Sequence, residues 1–403
     1  MPGSPILADG APEEHQAVVI AARRTPVVRA NGALRDVPVH QLLAPVLVAL
    51  LEELALSGAE VDDVLIGNAV GGGGNVARLA LLEAGLPAHV PGITVDRQCG
   101  SGLDAIVLAS RLVAGGGNPL YLAGGAESVS TAPLRATRNF DGEPEFYARA
   151  RFSPDTLGDP DMGVAAENVA REYGISRQEQ DGFALASHAR ALEAQASGAF
   201  VRERVRVPAA TGHVEVDDGP RRGLTARVLE RFPAAFVPGG TVTAGNSCFD
   251  ADAASAVVVT SVARARELGA VDGLLVEGTD TAGVDPHLLG MGAAAAAERL
   301  LRNRQITAES LDLVEFNEAF ASQTLACLAQ LGIAAGRANP DGGALALGHA
   351  YGASGAVLVT RLLAQARKTP GRESRALAMI SGAGGLGTAA LFRYTRLSPT
   401  KWQ

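Results

Sequence analysis

Cys99 stands in VDRQCGSGLDAI, where a strand-like run turns sharply through Gly100 and Gly102 into a helix. A thiol at a helix start meets the positive end of the macrodipole and free N–H groups, which favour thiolate. The same amides could hold an oxyanion once sulfur carries an acyl group. His349 lies in GGALALGHAYGASG, a second glycine-rich passage into a helix. A histidine facing the thiol could take its proton, as nucleophilic catalysis by cysteine requires. On residue type alone, a buried structural cysteine and a half-buried structural histidine are the competing readings. Asn317 and Glu318, in VEFNEAFA, follow a strand at its C-terminal end, where α/β proteins place functional loops; a solvated strand end is the alternative there.

Other motifs are excluded by their context. Gly382–Gly387 fits GxGxxG, but too little chain follows for a full βαβ unit, and no acidic residue lies about twenty positions on. GGGGNVAR at Gly71–Arg78 lacks the lysine of a phosphate loop. The seven histidines show no HxxxH or HExxH spacing and the cysteines no CxxC, so a protein-held metal is not expected.

The elements that must position these residues alternate between short apolar runs and helical periods, the pattern of an α/β fold with buried strands. Val18–Ala21, Val64–Gly67 and Leu120–Ala123 read as strands; Val39–Leu56 reads as a helix starting nearer Pro45. An internal repeat organises the chain. VDDVLIGNA from Val61 matches LDLVEFNEA from Leu311, and SGLDAIVLASRLV from Ser101 matches SGAVLVTRLL from Ser354. LYLAGGAE from Leu120 matches AMISGAGG from Ala378, and AASAVVVTS from Ala253 matches TAALFRYT from Thr388. Four pairs in one order imply two similar halves whose helix-starting loops, with Cys99 and His349, face one another. The first half carries an extra stretch, about 129–251, with a charged, proline-containing passage and a helix opened by the capping box Ser176–Glu179.

The 403 residues suffice for two or three structural units; 47% are hydrophobic and 19% charged, which excludes a disordered chain. A net charge of −8 argues against nucleic acid or an anionic membrane as the main partner. No apolar run approaches the roughly 18–20 residues needed to span a bilayer. The first residues carry Asp9, Glu13 and Glu14 without a basic cluster and read as a loose tail. Three cysteines, Cys99, Cys248 and Cys327, fit a reducing cytoplasm.

RRTPVVRANGAL, GNAVGGGGNVAR, VDRQCGSGLDA, AGGAESVS, MGVAAENVAREYGISRQEQDGFALASH, GTVTAGNSC, FNEAFA, NPDGGALALGH and GAGGLG occur in an order that resembles the thiolase family, the acetyl-CoA acetyltransferases and 3-ketoacyl-CoA thiolases. The resemblance covers nearly the whole chain. It implies a five-layered α-β-α-β-α fold of two duplicated halves plus an inserted loop domain. The expected division is a flexible tail at 1–17, a first half at 18–128 and 252–272, a coenzyme A-binding loop domain at 129–251, and a second half at 273–403. By the same resemblance Cys99 is the acyl-carrying nucleophile and His349 its base. Asn317 holds a water that completes an oxyanion hole with His349, and the amides of Cys99 and Ala383 form a second hole. Met162, Arg221, Phe236, Ala244 and Cys248 fall at coenzyme contacts, and Ala319 and Phe320 line the substrate channel. Coenzyme A thioesters are then substrates, with no permanently bound cofactor, in a cytoplasmic homodimer or homotetramer.

Several positions depart from the family pattern, among them Asp161, where biosynthetic members have a histidine before Met162, and Ala383, where the family usually has glycine. The second catalytic cysteine aligns with Ser381, the usual GHP is Gly348-His349-Ala350 followed by Tyr351, and a common serine is Cys248. The expected activity is acyl transfer through an acyl thioester on Cys99, by Claisen condensation or thiolysis of a 3-ketoacyl-CoA. An acyltransferase or hydrolase without carbon–carbon chemistry, and a weakly active scaffold partner, are the other readings.

Overall fold

The computed structural model describes residues 13–210, 212–368 and 372–397. The first half opens with β1 (Ala17–Arg24) and the short β2 (Val28–Arg29). It continues through α1 (Val39–Glu53), β3 (Asp63–Gly67), α2 (Val76–Glu83), β4 (Gly92–Val95), α3 (Ser101–Ala114) and β5 (Leu120–Glu127). The chain then leaves the sheet. It forms the hairpin β6 (Arg135–Arg138) and β7 (Pro144–Tyr147), α4 (Met162–Glu172), α5 (Arg177–Ala196), the hairpin β8 (Val207–Ala209) and β9 (Gly212–Val214), and the turn α6 (Ala226–Leu229). It re-enters at β10 (Ala251–Ser261), followed by α7 (Val262–Glu267). The second half comprises β11 (Asp272–Gly283), α8 (Gly292–Asn303), β12 (Leu313–Phe316), α9 (Ala321–Gln330), α10 (Ala344–Leu347), α11 (Tyr351–Ala366), β13 (Ser374–Gly382) and β14 (Leu386–Arg396).

The central sheet runs β12-β13-β14-β11-β1-β10-β5-β3-β4. Its halves meet where Val18 pairs with Leu275 and Val19 with Leu274; β1, β10, β5 and β3 on one side of that seam correspond in order to β11, β14, β13 and β12 on the other, and β4 is an extra edge strand. Alternation along the strands separates three apolar cores. Val64 and Ile66 face α1 and α2, while Leu65 faces the interior with α3 and α11. Ala376, Ala378 and Ile380 join that interior, and Leu377 and Met379 pack outward on α8 and α9. Helix, sheet, helix pair, sheet and helix thus stack in five layers, as expected.

Two of the four repeat pairings shift in the structure. Asp62 Oδ2 accepts the Leu120 N–H at 2.8 Å, and Asp312 Oδ2 accepts the Arg375 N–H at 2.9 Å, so Leu120 corresponds to Arg375 rather than Ala378. Leu120 pairs with Thr260 and Arg375 with Arg393, which moves the β10–β14 equivalence by two residues. These strands are buried on both faces, so no polar alternation marks their register. Pro45 also lies inside α1 rather than at its start. The buried face of Leu42, Leu43, Val46, Leu47 and Leu50 holds the helix across the lost hydrogen bond. The capping box at Ser176 forms as expected. Of the expected tail, residues 1–12 lie outside those described. Residues 13–17 are ordered, with Gln16 accepting the Val262 N–H at 3.0 Å and Ala17 paired to Ser261.

A buried ionic cluster joins the insertion to both halves. Arg24 of β1 donates to Glu203 at 2.7 Å and to Asp217 at 2.6 Å, and Arg361 of α11 pairs with Glu203 and Asp341. Both guanidinium groups lie against the Phe200 ring.

Candidate active site

The turn into α3 departs from the expected glycine elbow. Gly100 is right-handed helical (φ −76°), and the chain reverses at Gln98, whose φ is +51°. Such a backbone costs about 1–3 kcal/mol unless its surroundings hold it. Ser101 Oγ holds it here, donating to the Gln98 carbonyl at 2.6 Å and accepting the Arg97 N–H at 2.8 Å. Gly102 is required for another reason: a Cβ there would lie 2.4 Å from the Gly352 carbonyl oxygen. This close approach brings the Cys99 and His349 loops together.

Burial pushes the Cys99 thiol up to about 12, and the charges of Glu127 and Asp96 act in the same sense. The Ala383 N–H and the residue's own N–H are aimed at the sulfur and act the opposite way without prevailing. The helix-start amides thus act in the expected sense, but burial outweighs them. The resting group is a neutral thiol, and it needs a base.

His349 supplies a ring with one nitrogen committed and the other open. Its N–H donates to Phe249 O at 2.9 Å and its carbonyl accepts from Ala251 at 3.1 Å, which fixes the backbone beside β10. Nδ1 lies 2.7 Å from Ser354 Oγ, while the buried Nε2 has no partner among the described residues. Burial lowers the imidazole to about 4, so it is neutral at pH 7. Asn317 is equally telling: its backbone is tied to Met379 O, yet its buried Nδ2 has no partner among the described residues. Orphaned buried donors and acceptors are rare, and two at one strand end point to a ligand position. Glu318 differs. It accepts from Ser187 at 2.6 Å, Asn339 at 2.7 Å and Leu345 at 3.2 Å, and buttresses the loop.

Tyr351 packs its ring edge-on to His349 at 5.2 Å and donates to Asp250 at 2.5 Å. Its hydroxyl is pushed up by burial, then by Asp250, with smaller contributions in the same sense from Cys99 and Cys248. Ser381 takes a different position. Its hydroxyl donates to Gly290 O at 2.6 Å and accepts from the Ala293 N–H at 3.0 Å, with Gln323 Nε2 at 3.4 Å. Among the described residues no carboxylate or imidazole bonds it.

Most expected coenzyme contacts form one connected wall. Met162 begins α4, where a Cβ on the adjacent Gly163 would strike the Phe236 ring. Phe236 packs edge-to-face against Phe320 at 6.0 Å, and Cys248 donates its N–H to Ala319 O at 2.9 Å. Ala244 is exposed beside this wall. Arg221 lies apart, its N–H donating to His188 Nδ1 at 3.2 Å. Arg29 shares this corner; burial and then Arg221 depress its guanidinium, though Asp218 opposes them. The sequence reading did not pick out Arg29, Ser354 or Glu315. Only the Arg29 motif offered a signal, since the other two read as ordinary helix and strand positions.

The thiolase N-terminal domain family matches residues 17–263, and the thiolase C-terminal domain family matches residues 274–394. A putative acetyl-CoA C-acetyltransferase, VraB, of Staphylococcus aureus (strain MRSA252) is 42% identical over 94% of this chain and 99% of its own. Another, YhfS of Bacillus subtilis (strain 168), is 43% identical over 93% and 98%. The crystal structure of the Bacillus anthracis acetyl-CoA acetyltransferase superposes with a TM-score of 0.86 at 33% identity, covering 95% of this chain and 99% of that one. With both domain families in order over a matching fold, the chain belongs to the thiolase family of acyltransferases.

Proposed function

We propose that the chain is an acyl-CoA:acetyl-CoA C-acyltransferase working through an acyl thioester on Cys99. The observation that supports this is a buried neutral thiol and an imidazole with an unpartnered Nε2, carried on two loops that pack together where Gly102 approaches Gly352. In acylation the Cys99 S–H proton passes to Nε2 and sulfur attacks the thioester carbonyl. The oxyanion is held at His349 and a water on Asn317. The coenzyme A thiolate leaves, takes the proton back, and restores neutral His349. A second acetyl-CoA then loses an α-proton to that base, its carbanion attacks the acyl group, and Cys99 leaves as thiolate and is reprotonated. The amides of Cys99 and Ala383 stabilise the oxyanion of this second addition. Thiolysis is the reverse.

The Ser381 hydroxyl is committed to Gly290 and Ala293, and an unactivated serine lies far from the pKa that suits an acid/base near neutrality. We infer that acylation is competent and that the carbon–carbon step is the slower half. The segment 129–251 supplies the coenzyme wall through Met162, Phe236, Ala244 and Cys248, with Ala319 and Phe320 opposite. Arg221 and Arg29 form a cationic corner suited to the coenzyme's phosphates. A cytoplasmic homodimer or homotetramer is part of this proposal. Supporting it, Ile93 on edge strand β4 and Leu79, Leu82 and Leu112 nearby in sequence are exposed; light scattering tests it. No helix among the described residues is long and apolar enough to cross a membrane.

Intact mass after incubation with acetyl-CoA tests the reading: an increment on the wild type, absent in Cys99→Ser, supports it. An unchanged increment in that variant refutes it. Ser381→Cys should raise acetoacetyl-CoA thiolysis without changing acylation, and Cys248→Ser should mainly raise KM.

A further inference from the structure

Gly348 and Ala350, the chain neighbours of His349, line a cavity of about 30 Å³ that Glu315, Asn317, Ser354 and Arg361 also line. By the same measure one water needs roughly 10–15 Å³, so there is room for about two. Most of the lining is apolar, but these four polar side chains converge on it and are underused. Arg361 is 1% exposed, and its Nε has no partner among the described residues although its two terminal nitrogens are paired. Glu315 is 2% exposed, and its side chain has one partner among the described residues, Gln365 Nε2 at 2.7 Å. Asn317 Nδ2 is also unpartnered. Water needs room and about two to four polar partners, and this volume with the convergence of Glu315, Asn317, Ser354 and Arg361 supplies both.

The cavity bears on the base through Ser354, which lines it and lies 2.7 Å from His349 Nδ1. For Nε2 to accept a proton, Nδ1 must already carry one, because neutral imidazole has one donor and one acceptor nitrogen. Nδ1–H then donates to Ser354 Oγ. The Ser354 hydroxyl proton must point elsewhere, and the cavity it lines is where the other underused polar groups converge. We propose that one or two waters here link Ser354 to Glu315 and Arg361, so that Glu315 holds the His349 proton on Nδ1 and keeps Nε2 open. Glu315 and Ser354 are positioning residues, and their role in catalysis rests on His349 being the base at Cys99.

Charge gives the link a pH dependence. Burial pushes Glu315 up to about 8; Arg361 opposes this, and Asp341 and Glu318 add to it. Arg361 is itself paired with Glu203 and Asp341, and Asp341 with Lys368. Tyr351 packs against the ring and bonds Asp250, and Cys99 and Cys248 also act on its hydroxyl. As pH rises through about 8, Glu315 gains its charge and makes the nearby imidazole more basic.

The test uses the full-length protein, wild type, Glu315→Gln and Ser354→Ala. Nitrogen-15 NMR of labelled histidine reads the His349 tautomer without needing turnover. We expect an Nδ1–H ring in the wild type, a shift towards Nε2–H in Ser354→Ala at all pH values and in Glu315→Gln above pH 8, and a wild-type response near pH 8 that Glu315→Gln lacks. Acylation of Cys99 should fall roughly 10-fold in Ser354→Ala, part of the 10²–10⁴-fold that a base contributes. A high-resolution crystal structure should show water within hydrogen-bond distance of Ser354 Oγ. A dry cavity, or a tautomer and pH response unchanged in both variants, overturns the inference. Absence of any acyl mass increment on the wild type would instead overturn the proposed function, leaving the tautomer result to decide this one.

Discussion

The strand ends of the two halves solve the same problem in opposite ways. In the first half the polar groups are closed on one another. Asn68 donates to Glu127 at 2.6 Å and to Ala126 O at 2.9 Å, and Glu127 accepts the amides of Ala69, Val70 and Gly352. In the second half Asn317 Nδ2 and His349 Nε2 are buried without partners among the described residues. A duplicated frame thus carries one end finished for stability and one left open for a ligand. Desolvating a polar group without a partner costs about 1–3 kcal/mol, so the open end is kept at the expense of stability.

The comparison breaks first at Cys99. Cys99→Ala should abolish the acyl mass increment while leaving the fold intact, because the sulfur is held only by backbone amides. His349→Ala should slow acylation by roughly 10²–10⁴-fold, the usual worth of a positioned base. The same ring sets the acid limb of the wild-type profile. Since burial lowers it to about 4, kcat/KM for acylation should hold until well below pH 6. Its linkage to stability has a definite sign. The unfolded chain binds this proton near 6.5 and the folded one near 4, so stability falls as pH drops through that window. A stopped-flow profile and urea unfolding at several pH values measure the two.

The closed end should respond differently. Asn68→Ala leaves Glu127 short of a donor and should cost about 1–3 kcal/mol in urea unfolding. Acylation per folded molecule should change less than threefold. A loss like that of His349→Ala would show that the closed end also works in catalysis. The smallest effect belongs to Cys327, buried in α9 with its thiol on Gly290 O at 3.3 Å. Cys327→Ala should lower stability by about 1 kcal/mol and leave turnover unchanged.

The two reactive loops and the duplicated frame were legible because glycine turns, a lone cysteine and repeated apolar runs are local signals. What escaped was set by distance. Nothing near Gln98 announces a positive φ, because Ser101 and the packing of Gly102 on Gly352 impose it. Helix-start chemistry suggested a thiolate at Cys99, and burial by the opposite half reversed it. Glu315 and Arg361 read as an ordinary strand and helix residue until folding set both beside one cavity.

The Arg24–Glu203–Arg361–Asp341 cluster governs how the molecule comes apart. Its members belong to the first strand, the insertion and the second half, and removing any one strands a buried charge, typically at a cost of about 3–5 kcal/mol. The insertion therefore cannot loosen as an independent lid. Its amides around Phe200 should exchange with deuterium only as slowly as those of β1 and β10, in one cooperative opening. If the Phe236–Phe320 wall takes the coenzyme as proposed, entry proceeds by side-chain movement there, with the surrounding domain held still.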